Sequence, residues 1–177
     1  RSEIDELMKF ITLLSIHRPH EYLFSLPLFF VQHTEIPLKM LSSVSSHSEL
    51  LSVLSHTDYA AVIKKFPPTE SGDYDLTAIE DALENYNLDL LYTDIGKIKN
   101  KKDKEQLKSL FDTLTDFNNY TRIMRLKKYY HQSNEVVRTH LLHYGTLTGS
   151  KLEKIFSKDS YEEIREALSE TSVGRKA

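Results

Sequence analysis

Residues 104–130 read KEQLKSLFDTLTDFNNYTRIMRLKKYY, and their spacing decides the fold. Leu107, Leu110, Phe111, Leu114 and Phe117 recur three and four residues apart, the signature of one face of a long helix running to about Tyr130. Past Asp116 the apolar set widens: Ile123, Met124 and Leu126 point in different directions, so the middle of this helix is expected to be surrounded by others. At about 100° per residue, Arg125 falls in line with Leu107, Leu114 and Asn118. A guanidinium on an apolar stripe is expected to be buried, and an unpaired charge away from water is costly. It must snorkel, pair with an acid on a neighbouring helix, or pin the packing or partner contacts of this one.

The flanking sequence extends the helical pattern in both directions. Gly96 and the run Lys97–Lys104 read as a solvated turn or helix end, because the run holds no aromatic residue and includes Asp103. Before it, Thr77-x-x-Glu80 has the form of a capping box opening a helix that carries Ile79, Leu83, Leu90, Leu91 and Ile95. Pro67-Pro68 through Gly72-Asp73 reads as a linker. Short helices are expected at about 38–44, 48–54 and 58–66, and a longer one carries Ile4, Leu7, Met8, Ile11 and Leu14 up to His17. After the long helix, Ser133 caps a short helix to about His143, Ser150-x-x-Glu153 opens the next and Ser160 the last. With no sustained two-residue alternation and only five glycines, the chain is expected to be all-α.

One stretch is written twice. Residues 38–59 lie over 152–173 without a gap, matching Leu38 with Leu152, Ser43 with Ser157, Ser46 with Ser160, Glu49 with Glu163, Leu54 with Leu168, Ser55 with Ser169 and Thr57 with Thr171. Both copies hold Ser-x-x-Glu where a capping box would open a helix. A repeated structural unit favours a scaffold or assembly part over a single-site enzyme.

Composition narrows the function classes. The 177 residues are 40% apolar and 28% charged, as in an ordinary globular chain, and the absence of cysteine removes disulfides and thiol-based sites. A net charge of −3 gives no overall field for nucleic acid or anionic lipid. The longest apolar run, Tyr22–Val31, is interrupted by Pro27 and too short to cross a bilayer as a helix. His140 and His143 have a spacing that a metal could use, but no His-Glu-x-x-His pattern accompanies them. Gly149-Ser150-Lys151 lacks the second glycine and preceding strand of a phosphate loop. Glu80-Asp81 and Glu162-Glu163 sit in first turns of helices, where the helix dipole accounts for them. No catalytic, cofactor or metal residue is expected. Arg1 is not a natural start, so the chain reads as a piece of something longer.

The run Asp116-Phe-Asn-Asn119-Tyr-Thr-Arg-Ile-Met-Arg125-Leu-Lys127 resembles the Asp-x-x-Asn and Arg-x-Lys signature in the repeats of the C subunit of bacterial and archaeal V/A-type rotary ATPases, counterpart of eukaryotic subunit d. The likeness continues through His131–Glu135, His143-Tyr-Gly145 and Leu152–Phe156, and Ser48–Tyr59 resembles the closing stretch of the preceding repeat. The resemblance implies helical units around a pseudo-threefold axis in a funnel-shaped protein. It also implies a non-catalytic, cofactor-free central-stalk subunit at the cytoplasmic face of the membrane. Its partners would be the rotor shaft and the membrane proteolipid ring, with no nucleic acid and no membrane span of its own, and it would carry torque for proton or sodium transport. Asp116, Asn119, Arg125 and Lys127 are then the structural or interface candidates. The units would be 1–66, divergent because Asp5 is followed by Met8 where the signature has Asn, then a linker at 67–75, then 76–177. The rival reading is a free-standing helical-repeat scaffold that binds a soluble partner.

Overall fold

A computed structural model describes residues 3–26, 34–158, 160–171 and 174–175. Among them the chain is all-α, with no strand. It divides into two compact units, Arg1–Tyr86 and Asn87–Ala177.

The first unit begins with α1 (Glu3–Ser15), whose Leu7, Phe10 and Ile11 are fully buried, followed by a 3₁₀ turn over Pro19–Ser25. Three short helices, α2 (Leu38–Leu41), α3 (His47–Val53) and α4 (Tyr59–Ile63), then wrap that face. The core gathers Tyr22, Leu38, Leu41, Leu50, Leu54, Ile63, Ile79 and Leu83, with Phe10 and Tyr22 edge to face at 5.6 Å. The stretch 67–75 lies inside this unit. It forms a turn in which the Asp73 carbonyl accepts from the Thr69 N–H at 2.8 Å, and Tyr74 and Leu76 pack on the same core.

The division between units falls within α5 (Leu76–Lys97). Its N-terminus is held by Asp75, whose Oδ1 accepts from Ala78 N at 3.0 Å; Thr77, expected as the cap, is already in the helix. In the second unit, α6 (Lys101–Lys128) starts at Asn100, whose side chain accepts from the N–H groups of Lys102 and Asp103. Three short helices follow: α7 (Asn134–Thr139), α8 (Gly149–Phe156) and α9 (Tyr161–Ser169). Ser133 caps α7 as the sequence predicts, but α8 opens at Thr148 with no side-chain cap, and Glu153 is engaged instead by Arg138, at 2.6 and 2.8 Å. The smaller core contains Ile123, Val137, Leu141, Leu147, Ile155, Phe156, Ile164 and Leu168.

The repeated stretch folds the same way in both units. Ser46 and Ser160 accept from the N–H of Glu49 and Glu163 at 3.3 and 3.2 Å. Glu163 reaches back to Ser160, whereas Glu49 reaches one residue further, to Ser45. Leu41, Leu50 and Leu54 are buried, as are Ile155, Ile164 and Leu168. Thr57 and Thr171 donate to the carbonyls of Leu54 and Leu168, closing the turns after α3 and α9 alike.

Apart from Phe111, which is half-buried, the apolar stripe of α6 lies the other way round from its expected placement. Leu107, Leu110, Leu114 and Phe117 are 37%, 53%, 50% and 49% exposed, and Arg125 is exposed too. The buried face is Asp112, Thr115, Asp116, Asn119 and Ile123. Backbone groups of the loop after α7 supply what Asp116 and Asn119 need, and side chains of Tyr92 and Lys108 serve Asp112, so burial leaves these polar groups paired.

Candidate functional site

Residues 112, 116, 119 and 123 are spaced by four, three and four, which brings them onto one side of α6. Asp116 is 2% exposed. Its Oδ1 accepts from Thr146 N at 2.6 Å and Leu147 N at 2.9 Å, and its Oδ2 accepts from the Thr146 hydroxyl at 2.6 Å. One turn on, Asn119 pairs both ways with Leu142: its Nδ2 donates to the carbonyl at 3.0 Å and its Oδ1 accepts from the N–H at 2.8 Å. Together these side chains hold residues 142–147 against the helix as a strand partner would.

The loop can approach this closely because residue 145 is glycine. Gly145 has φ +97°, and a Cβ there would meet Asp116 Oδ1 at 2.3 Å. Arg122 extends the row by donating to the His140 carbonyl at 2.7 Å, and Lys127 donates to the Gln132 carbonyl at 2.9 Å, closing the end of α6. Asn134 ties α7 to the end of α8 through the Phe156 carbonyl at 2.8 Å.

A second layer joins α5 to the same loop. Tyr92 and Tyr144 stack at 3.9 Å with their planes 11° apart. The Tyr92 hydroxyl donates to Asp112 at 2.7 Å, Lys108 donates to the other Asp112 oxygen at 2.6 Å, and the Tyr144 hydroxyl donates to Asp89 at 2.8 Å. Burial first, and then the bond to Asp112, pushes the Tyr92 phenol well above its ordinary range. Tyr144 is raised as well, chiefly by its bond to Asp89. The Glu153 carboxyl is held low by its bond to Arg138, whose guanidinium also lies 4.7 Å from the centre of the Phe156 ring.

This arrangement orders backbone. The three bonds that Asp116 accepts come from its own chain, and its burial keeps the carboxylate out of solvent. Of the four sequence candidates, the structure brings Asp116 and Asn119 together on the 142–147 segment and puts Lys127 two turns along. Arg125 stands apart from all three, in solvent. Among the described residues no group of three His, Asp or Glu side chains is placed to hold a metal; His140 is half-buried and His143 exposed. Sequence reasoning missed Arg122, Asn134 and the Tyr92–Tyr144 pair. For Arg122 a signal existed, since it follows Asp116 and Asn119 at steps of three.

A family model described as ATP synthase (C/AC39) subunit matches residues 1–176. No curated protein and no solved structure matches the chain.

Proposed function

Because this chain belongs to the ATP synthase (C/AC39) subunit family, we propose that it is a non-catalytic central-stalk part that couples a rotor shaft to a membrane proteolipid ring. The family match along 1–176 carries this reading. The site supports it, since the buried polar groups of α6 are spent on fixing a loop and not on a substrate. Asp116, Asn119 and Lys127 act as structural braces, and torque passes through helices they hold in place. Among the described residues no helix is long and apolar enough to cross a membrane, which suits a subunit held peripherally, at the cytoplasmic face, by other chains. The proposed units remain the repeats read from the sequence, arranged about a pseudo-threefold axis.

Purification of the full-length parent protein by a tag in gentle detergent, followed by mass spectrometry, tests the proposal. Proteolipid and shaft subunits in fixed ratio are the expected result. Recovery of soluble partners alone would replace the reading with a free-standing helical scaffold.

A further inference from the structure

The exposed stripe of α6 is a narrow seam. Leu107, Leu110, Leu114 and Phe117 follow one another at steps of three, four and three, the spacing with which one helix receives the side chains of another. Each is at least 37% exposed, on a helix whose first ten residues are solvated except for a half-buried Lys104. Polar, uncharged Gln106, Thr113 and Asn118 border it.

Both ends of the seam are basic. Lys97, Lys99, Lys101, Lys102 and Lys104 precede it against Asp103. Among the described residues, ion pairs with Asp94 and Glu105 offset Lys97 and Lys101, and Lys104 donates to the Gly96 carbonyl at 2.8 Å. Arg125 and Lys128, both exposed, follow the seam, with no acid between 117 and 128. A second copy of this helix would set cations against cations in either direction, which is unfavourable. An anionic membrane would meet a broad apolar face, and this one is a seam with polar borders.

We propose that the seam is the docking surface for an amphipathic helix of another subunit, with an apolar face of matching spacing and carboxylates at both ends. The identification of the partner as a subunit rests on the ATPase reading above; the surface itself does not.

The test places photoreactive benzoylphenylalanine at Leu110 of the full-length protein in cells, with Ser109, which faces away from the seam, as control. The Leu110 probe is expected to crosslink a helical peptide of another ATPase subunit flanked by Asp or Glu. Leu114→Glu should cut that crosslink roughly tenfold without lowering the melting temperature. A crosslink to this same protein or to lipid would overturn the proposal, as would no crosslink while ATPase subunits still co-purify. If the probe instead captures an acid-flanked helix of a soluble protein and no ATPase subunit co-purifies, the surface stands and the rotor reading falls.

Discussion

The two units attach the same repeated set of short helices to a leading helix by opposite means. In the first, α1 turns Leu7, Phe10 and Ile11 inward, and its buried face is mainly carbon, with one buried acid, Glu6, accepting from the Tyr22 hydroxyl at 2.9 Å. In the second, α6 turns Asp112, Thr115, Asp116 and Asn119 inward ahead of Ile123 and leaves Leu107, Leu110 and Leu114 outside. The first unit retains a trace of the polar device: Glu3 Oε1 accepts from Glu35 N at 2.5 Å, just ahead of α2, and Oε2 accepts from the Tyr59 hydroxyl at 3.0 Å. The family signature residue expected there, Asp5, is exposed. Apolar contact is non-directional and tolerates repacking, whereas hydrogen bonds fix one register of loop against helix. The second unit has traded adaptability for a defined geometry.

The contrast can be tested by substitution, and the largest effect is expected at Phe10. Phe10→Ala should cost about 4 kcal/mol through lost burial and the cavity left behind, with amide protection falling in the first unit only. Equal loss in both units would show that they unfold as one. Next, Asp116→Ala strands the N–H groups of Thr146 and Leu147 and should cost about 3 kcal/mol, read as accelerated hydrogen exchange at those two amides. Glu3→Ala removes partly solvated bonds and should cost about 1 kcal/mol; an effect as large as that of Asp116→Ala would mean the two braces are equivalent. Arg125→Ala should change stability by less than about 0.5 kcal/mol by denaturant titration, because the side chain is exposed.

The smallest effect expected is a pH dependence. Burial holds the His47 imidazole below its ordinary value of 6.5, so the folded chain takes up that proton less readily than the unfolded one. Stability from this group is therefore complete above about pH 6.5 and declines as the pH falls below it. His47→Gln should flatten the fall in melting temperature between about pH 7 and pH 5. An unchanged slope would place the cause elsewhere.

What could be read from the residues was what neighbours in sequence decide. The helices around Leu7, Leu83 and Ile123, the Ser46 and Ser160 caps and the internal repeat all follow from contacts within a few positions. Orientation of α6 did not, because hydropathy assigns leucine inward. Asp116 and Asn119 earn burial from backbone groups 23 to 31 residues away, which no periodicity reveals. Arg125 is exposed for the same reason: it lies in line with Leu107 and Leu114, and that whole line faces water. The Thr77 cap failed more locally, since Asp75 two residues earlier offers a stronger acceptor.

Gly145 and Asp116 also constrain how this sequence can drift. A side chain at 145 is refused twice, by the left-handed backbone and by the carboxylate pressed against it. A lineage that shortens Asp116 removes the second refusal and keeps the first, so glycine outlasts the acid. A lineage that replaces the glycine first must displace the acid in the same step. Mutation at this pair therefore has a preferred order, and related sequences should hold glycine without the acid far more often than the acid without glycine.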